Sequence, residues 1–145
     1  MDFVFEAENM NLTGGSVDTG SAANSNASGM KWVGGISINS SVTLSLLFNS
    51  DCVADVTMYI AFSGAADYNV AFNSAFTLTL NGEPVTPPET AQLYGGNGAY
   101  YYFRLNEIAK FTVKEGENTL VLTHVPGIQA GNIDYFSFAT EAKLT

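Results

Sequence analysis

The chain has 145 residues, enough for one domain with a substantial core, and 46% of them are apolar while only 13% are charged. Fourteen acidic residues against five basic ones give a net charge of −9 at pH 7. Such a chain repels phosphate, so we expect neither nucleic acid nor an anionic membrane surface as a partner. The longest apolar runs are far shorter than a membrane span.

A single cysteine and a single histidine limit the chemistry that is open to the chain. Cys52 has no partner for an intrachain disulfide, and His124 has no second imidazole with which to share a zinc ion. A nucleophilic pair of Cys52 and His124 lacks a cation beside the cysteine that would activate the thiol. No Gly-x-Ser-x-Gly elbow, phosphate-binding loop or dinucleotide fingerprint is present.

The predicted elements are strands, because β-branched and aromatic residues recur between turn residues and no segment keeps an apolar period of 3.6. We predict strands at Phe3–Glu8, Met30–Ile36, Ser41–Phe48, Ala54–Phe62, Phe76–Leu80, Ala99–Leu105, Ala109–Val113, Asn118–His124 and Asn132–Phe138. The one helical turn that we predict lies at Leu105–Lys110, and the polar stretch Gly14–Gly29 is predicted to be a surface loop. Short strands separated by turns favour an all-β fold, a β-sandwich of two antiparallel sheets.

Local patterns fix some details of these strands. Asn81-Gly82 predicts a type I′ hairpin turn, which requires positive φ at both residues. Alternation in the eighth predicted strand places Leu120, Leu122 and His124 on one face, and a structural role is expected for the histidine.

Three carboxylates stand near the two ends of the chain. Glu6 and Glu8 are two residues apart in the first predicted strand, so their side chains should leave the same face, and Asp134 shares a face with Phe136 in the last. If the terminal strands are neighbours, the three carboxylates would converge on one hard cation such as Ca²⁺. Two alternatives remain open. All three side chains could face solvent, or a pair of them could flank the open cleft of a glycosidase.

Five short motifs follow one another along the chain, at Phe5–Glu8, Lys31–Ile36, Asn81–Gly82, Gly116–Leu120 and Gly131–Tyr135. In this order they resemble the non-catalytic carbohydrate-binding modules of families 6 and 35, and the resemblance covers nearly the whole chain. It implies a β-jelly roll in which residues 1–145 form a single module. The single cysteine and the low charge favour the hypothesis that this module is a domain cut from a larger secreted protein. The first residues of the chain have neither the basic start nor the apolar stretch of a signal peptide.

The resemblance implies a structural Ca²⁺ ion that is bound by Glu6, Glu8 and Asp134. A backbone carbonyl near Ser28 or Lys31 is expected to complete the set of ligands. Such an ion would tie the first strand to the last and would serve stability rather than catalysis.

The resemblance also implies a sugar site among the loops at one end of the sandwich. Asn132 matches an asparagine of that site, whereas Gly35 and Asn97 stand where these families usually carry aromatic residues. The candidate sugar-binding residues are Trp32, Asn97, Tyr100, Tyr102, Gln129 and Asn132. The acidic chain favours neutral sugars over uronates, for which Lys31 and Arg104 are the candidate contacts.

The leading hypothesis is a calcium-stabilised carbohydrate-binding module without catalytic activity, which keeps an attached enzyme near polysaccharide. We expect an extracellular, monomeric module within a multidomain chain. The alternatives are a structural or adhesive cell-surface β-sandwich that binds no sugar, and a glycan-cleaving jelly roll.

Overall fold

The computed structural model describes residues 2–20, 25–64, 69–94, 103–128 and 131–145. Its strands are β1 (Asp2–Glu6), β2 (Asn11–Thr13), β3 (Ser16–Thr19), β4 (Lys31–Gly34), β5 (Thr43–Ser50), β6 (Ala54–Ser63), β7 (Asn69–Ala71), β8 (Phe76–Leu80), β9 (Glu83–Val85), β10 (Gln92–Tyr94), β11 (Arg104–Val113), β12 (Gly116–His124) and β13 (Asn132–Thr140). The helical elements are 3-10 turns at Ala7–Asn9 and Ser28–Met30 and the short helix α1 at Phe72–Ala75.

Two antiparallel sheets form a sandwich, which confirms the predicted fold class. In the described part of the chain, the larger sheet has the order β11-β6-β13-β4-β3, and β1 also pairs with β13. β1 and β4 therefore lie end to end along one side of β13, while β6 occupies its other side. The smaller sheet has the order β2-β5-β12-β8-β9. The first and last strands are neighbours, as the convergence of the three carboxylates requires.

The core lies between the two sheets and follows from the alternation of apolar residues along the strands. Leu120, Leu122 and His124 of β12 are all buried, as predicted. The ring of Phe138 packs against Phe5 with 5.3 Å between the ring centroids, and against Phe48 at 5.6 Å. Edge-to-face aromatic packing of this kind joins the terminal strands to the opposite sheet. Within the described ranges, no helix has the length and apolar character needed to cross a membrane.

Two predicted elements are wrong. Leu105–Lys110 is part of β11 rather than a helical turn, and its ladder to β6 shifts register between Glu107 and Ala109. This β-bulge buries Ile108 and Ala109 in succession, which breaks the strand alternation and made the sequence resemble a turn. The predicted loop Gly14–Gly29 contains β3, which pairs with β4 at the edge of the larger sheet.

The predicted hairpin turn is confirmed. Asn81 has a φ of 53° and Gly82 a φ of 81°, so both residues adopt the left-handed conformation that a type I′ turn requires. The turn connects β8 to β9, which pair with Leu80 opposite Glu83.

Candidate functional site

The first and last strands bring three carboxylates together at one point. β1 runs antiparallel to β13, with Glu6 opposite Tyr135. The strand ends at Glu6, two residues earlier than predicted, and the 3-10 turn that follows buries Ala7 completely. Glu8 therefore reaches the cluster from this turn and not from the same strand face as Glu6.

A β-bulge in β13 supplies the third carboxylate. The ladder between β13 and β6 pairs Ile133 with Phe62 and Tyr135 with Ala61, so Asp134 is the extra residue. A bulge turns a side chain away from the direction that regular alternation would give it. Asp134 has no exposed surface.

Ser28 connects two of the three carboxylates. Its backbone N–H donates a hydrogen bond to Asp134 Oδ2 at 2.8 Å, and its hydroxyl donates to Glu6 Oε1 at 2.6 Å. The 3-10 turn that begins at Ser28 contains two consecutive residues with positive φ, Gly29 at 61° and Met30 at 56°. Positive φ is uncommon for a residue such as methionine and persists where the surroundings require it.

Three oxygens of the cluster lack hydrogen-bond donors among the described residues. One oxygen from each of Glu6, Glu8 and Asp134 lies within 4.8 Å of the others. Glu6 Oε2, Glu8 Oε2 and Asp134 Oδ1 are buried and accept no hydrogen bond from the described residues. Buried carboxylate oxygens without partners cost free energy, so this arrangement calls for a positive partner.

The pKa values also reflect the unfavourable burial of these carboxylates. The pKa of Asp134 is raised to about 7, with burial as the largest cause. The hydrogen bond from Ser28 lowers this pKa, and the charges of Glu6 and Glu8 raise it. The pKa of Glu8 is also raised, mainly by burial and also by the charge of Glu6. A hydrogen bond from its own backbone N–H and, less strongly, the charge of Lys31 lower it. At neutral pH the cluster therefore carries negative charge that its own hydrogen bonds do not balance.

One hard cation would relieve this repulsion. Two oxygens bound to one Ca²⁺ ion at about 2.3–2.6 Å lie at most roughly 5 Å apart, which agrees with the spacing of the three carboxylates. The same burial argues against a glycosidase, because the complete burial of Asp134 leaves no open cleft beside it for a substrate.

The segment before Trp32 contributes hydrogen-bond donors to the cluster. Ser28 contributes its N–H and its hydroxyl, while its carbonyl accepts a hydrogen bond from the N–H of Lys31. The Lys31 side chain is exposed, and its charge lowers the pKa of Glu8. That a carbonyl from this segment also binds the ion stays a prediction.

The predicted sugar-binding asparagine lies at the start of β13, on the face of the larger sheet that points away from the core. Asn132 pairs with Ser63 of β6, and its side-chain amide donates to Ser63 Oγ at 3.4 Å. It is half-buried. Asn97, Tyr100, Tyr102 and Gln129 lie outside the described residues, so their predicted roles stay predictions.

Trp32 is 2% exposed and its ring packs on Phe103 with 5.7 Å between centroids. A sugar needs an open ring face for stacking, so this burial does not support the predicted role of Trp32 as a platform. Gly35, at one of the usual aromatic positions, has a φ of 71°, and a Cβ there would lie 3.1 Å from the Cα of Gly15. An aromatic residue would therefore require a different backbone at this position.

His124 has a structural environment, as expected. Its Nδ1 lies 2.8 Å from the carbonyl oxygen of Ser40, and its Nε2 lies 2.7 Å from that of Ile128. The buried ring thereby connects the segment before β5 to the segment that follows β12.

Asp18 was not predicted as a site residue, but its carboxylate lies near the side-chain oxygen of Asn132. It belongs to β3, in the stretch that was predicted to be a loop. The alternation of Ser16, Val17 and Asp18 was the available signal, but three residues of an edge strand are too few for a periodic pattern.

Comparison with known proteins supports the fold. No model of a protein family matches the chain, and no curated protein sequence matches it either. A native family 35 carbohydrate-binding module from Clostridium thermocellum matches with a TM-score of 0.75 and 16% identity, over 95% of this chain and 97% of that chain. A family 35 module in complex with a glucuronic acid-containing disaccharide matches with a TM-score of 0.70 and 15% identity, over 98% and 95%.

The same fold also occurs within a larger enzyme. A β-(1,4)-mannanase from Podospora anserina that contains a family 35 module matches with a TM-score of 0.69 and 19% identity. The match covers 98% of this chain and 28% of that one. A family 6 module of a marine laminarinase from Zobellia galactanivorans is also similar. The chain therefore has the fold of the family 35 and family 6 carbohydrate-binding modules, as its motifs predicted.

Proposed function

We propose that the chain is a non-catalytic carbohydrate-binding module that holds a structural Ca²⁺ ion between its first and last strands. The observation that carries the proposal is the cluster of Glu6, Glu8 and the fully buried Asp134 within this fold. The donor set suits the ion, because Ca²⁺ prefers carboxylate oxygens and takes six to eight ligands. Backbone carbonyls and water would supply the remaining ligands.

The proposed sugar site lies beside Asn132, at the end of the sandwich where β13 begins. An amide side chain that is half-buried and held by Ser63 is suited to hydrogen bonds with sugar hydroxyls. The module would act outside the cell and keep an attached enzyme near its polysaccharide. Its fold supports this role, since the Podospora mannanase includes a module of the same fold.

A structural or adhesive β-sandwich is the second candidate. The burial of Trp32 and the positive φ of Gly35 favour it, because both reduce the aromatic surface that a sugar could use. In this case the ion would still stabilise the fold, but no polysaccharide would bind.

Native affinity electrophoresis in gels that contain soluble polysaccharides distinguishes the two candidates. The panel consists of galactomannan, β-1,3-galactan, β-1,3-glucan, xylan and glucuronoxylan, each with Ca²⁺ and with a chelator. Retardation by one class of glycan is expected for a binding module. If no polymer retards a protein that Ca²⁺ still stabilises, the adhesive candidate replaces the binding module.

Asn132→Ala tests the position of the sugar site. We expect it to weaken retardation at least about fivefold, the effect of about one lost hydrogen bond, while the melting temperature stays near that of the wild type. Asn49→Ala, at an exposed position of the opposite sheet, is the matched control. Wild-type affinity in a folded Asn132→Ala variant would remove Asn132 from the site.

A further inference from the structure

One row of residues crosses four strands on the face of the larger sheet that points away from the core. Ser16 of β3 lies opposite Gly34 of β4, and Asn132 of β13 lies opposite Ser63 of β6. The pairing of Val33 with Ile133, both fully buried in the core, places Gly34 beside Asn132 on the other face.

Gly34 has no side chain and therefore leaves space for the carboxylate of Asp18. A Cβ at this position would lie 2.1 Å from Asp18 Oδ2 and 3.0 Å from Asn132 Oδ1. Gly34 does not have a positive φ, so space rather than backbone conformation requires glycine here. Asp18 Oδ2 and Asn132 Oδ1 therefore lie close together, on either side of one point above the strand.

Asp18 is held in place by one of its oxygens only. The Ser16 hydroxyl donates to Asp18 Oδ1 at 3.0 Å. Asp18 Oδ2, the oxygen beside Asn132, accepts no hydrogen bond from the residues that the structure describes, and the side chain is half-buried. A fixed carboxylate with a remaining acceptor oxygen is suited to the hydroxyl groups of a bound molecule.

The two cations that were predicted as uronate contacts lie beside other residues. The Arg104 guanidinium stacks on the ring of Tyr94, 4.7 Å from its centroid. Lys31 is close enough to Glu8 to lower the pKa of that carboxyl. Neither is paired with Asp18 in the described part of the chain, so the negative charge beside Asn132 is not balanced.

We propose that Asp18 is a specificity-determining residue of the sugar site, which accepts hydrogen bonds from neutral sugars beside Asn132 and disfavours uronates by charge repulsion. The inference rests on the proposed function, because it requires a sugar to bind beside Asn132. A carboxylate of the ligand near Asp18 would bring two like charges together in a partly desolvated place. Gly34 positions Asp18 by leaving its carboxylate the space above β4.

The test compares neutral polymers with their own acidic derivatives. Galactomannan, β-1,3-galactan and β-1,3-glucan are used in affinity electrophoresis before and after oxidation of their C6 hydroxyls to carboxylates, with Ca²⁺ present. The wild type should bind the neutral form of its polymer at least about fivefold more tightly than the oxidised form, since like charges a few ångströms apart cost about 1 kcal/mol or more.

Asp18→Asn keeps the shape of the side chain and removes its charge. We expect it to lose most of this discrimination by binding the oxidised polymer more tightly. Glu83→Gln, on the exposed strand β9 of the other sheet, changes the net charge equally and should behave as the wild type. The melting temperature in Ca²⁺ confirms that each variant is folded.

Each other result overturns a stated part of the proposal. Discrimination in Asp18→Asn equal to that of the wild type would remove Asp18 from the specificity of a site that still binds sugar. Tighter binding of the oxidised polymer by the wild type, dependent on Ca²⁺ and lost in Asp18→Asn, would make Asp18 part of a cation-mediated uronate site. A wild type that none of these polymers retards, neutral or oxidised, and that xylan and glucuronoxylan do not retard either, overturns the proposed function and this inference with it.

Discussion

Asp134 is a carboxylate without exposed surface that lies beside two further carboxylates, and this determines how it should respond to substitution. Asp134→Asn keeps the shape of the side chain and removes its charge. In a chelator at neutral pH we expect the variant to melt at or above the wild-type temperature, because burial and like-charge repulsion disfavour the charged form. In Ca²⁺ the order should reverse, since the variant lacks an anionic ligand for the ion.

Thermal unfolding of both proteins, with Ca²⁺ and with chelator, measures this reversal. At an ion concentration of about one hundred times Kd, the wild type should gain about 5–10 °C and the variant little. A shift in Asp134→Asn as large as that of the wild type would show that the ion binds elsewhere.

Asp134 also determines how the stability of the metal-free protein depends on pH. The pKa of Asp134 is raised from 3.8 to about 7, so the folded state holds a proton that the unfolded state releases over this range. The contribution of Asp134 to stability is therefore fully present below pH 4 and is lost as the pH rises to about 7. The loss in free energy of unfolding is at most about 4 kcal/mol, and solvent screening makes it smaller. Glu8 acts in the same direction.

Urea unfolding in chelator at pH 5 and at pH 7.5 tests this slope. The wild type should lose more stability between the two pH values than Asp134→Asn, which cannot titrate at this position. Equal losses in both proteins would show that the carboxylate of residue 134 does not titrate in this range.

At the scale of elements, the sequence predicts those turns and strands whose conformation depends on residues adjacent in the chain. The hairpin at Asn81-Gly82 was predictable because its φ angles depend on two residues, and β8 has the predicted bounds Phe76–Leu80. The bulge at Asp134 was not, because only the ladder to β6 shows that one residue is extra. β3 was missed because a polar edge strand has no apolar face to reveal it.

The candidate site also has a part that the sequence predicts and a part that it does not. Its carboxylates stand in motifs at the chain ends, and the pairing of β1 with β13 brings them together. The contribution of Ser28 through its N–H and hydroxyl depends on a turn with positive φ at Met30, a residue that gives no such signal in the sequence.

His124 makes a contact between elements that mutation can measure. Its two ring nitrogens face the carbonyls of Ser40 and Ile128, so the ring joins two segments at one end of the sandwich. His124→Leu should destabilise the fold by about 2 kcal/mol, because both carbonyls lose their contact with the ring and are incompletely replaced by water. The midpoint of urea unfolding checks this, and the stabilisation by Ca²⁺ should be unchanged. An unaltered midpoint would contradict a structural role for the ring.

At the scale of the whole molecule, a net charge of −9 and a cluster of three partly or fully buried carboxylates act together. Any cation reduces the general repulsion between acidic residues, and this effect is screened by salt. Binding of an ion at the cluster differs from this general effect, because it depends on the size of the ion and on the number of oxygens that contact it. The choice of ion therefore separates the specific site from the background of charge.

Melting temperature should rise linearly with the logarithm of Ca²⁺ concentration above Kd, as expected for an ion that binds only the folded chain. Mg²⁺ at the same concentrations should stabilise much less, because it requires near-ideal octahedral geometry and dehydrates reluctantly, whereas the carboxylates of Glu6, Glu8 and Asp134 come from a strand end, a turn and a bulge. A titration at constant ionic strength, maintained with NaCl, removes the contribution of general screening. Equal shifts with Mg²⁺ and Ca²⁺ would show that the protein does not distinguish the two ions, and this would contradict a cluster that selects Ca²⁺.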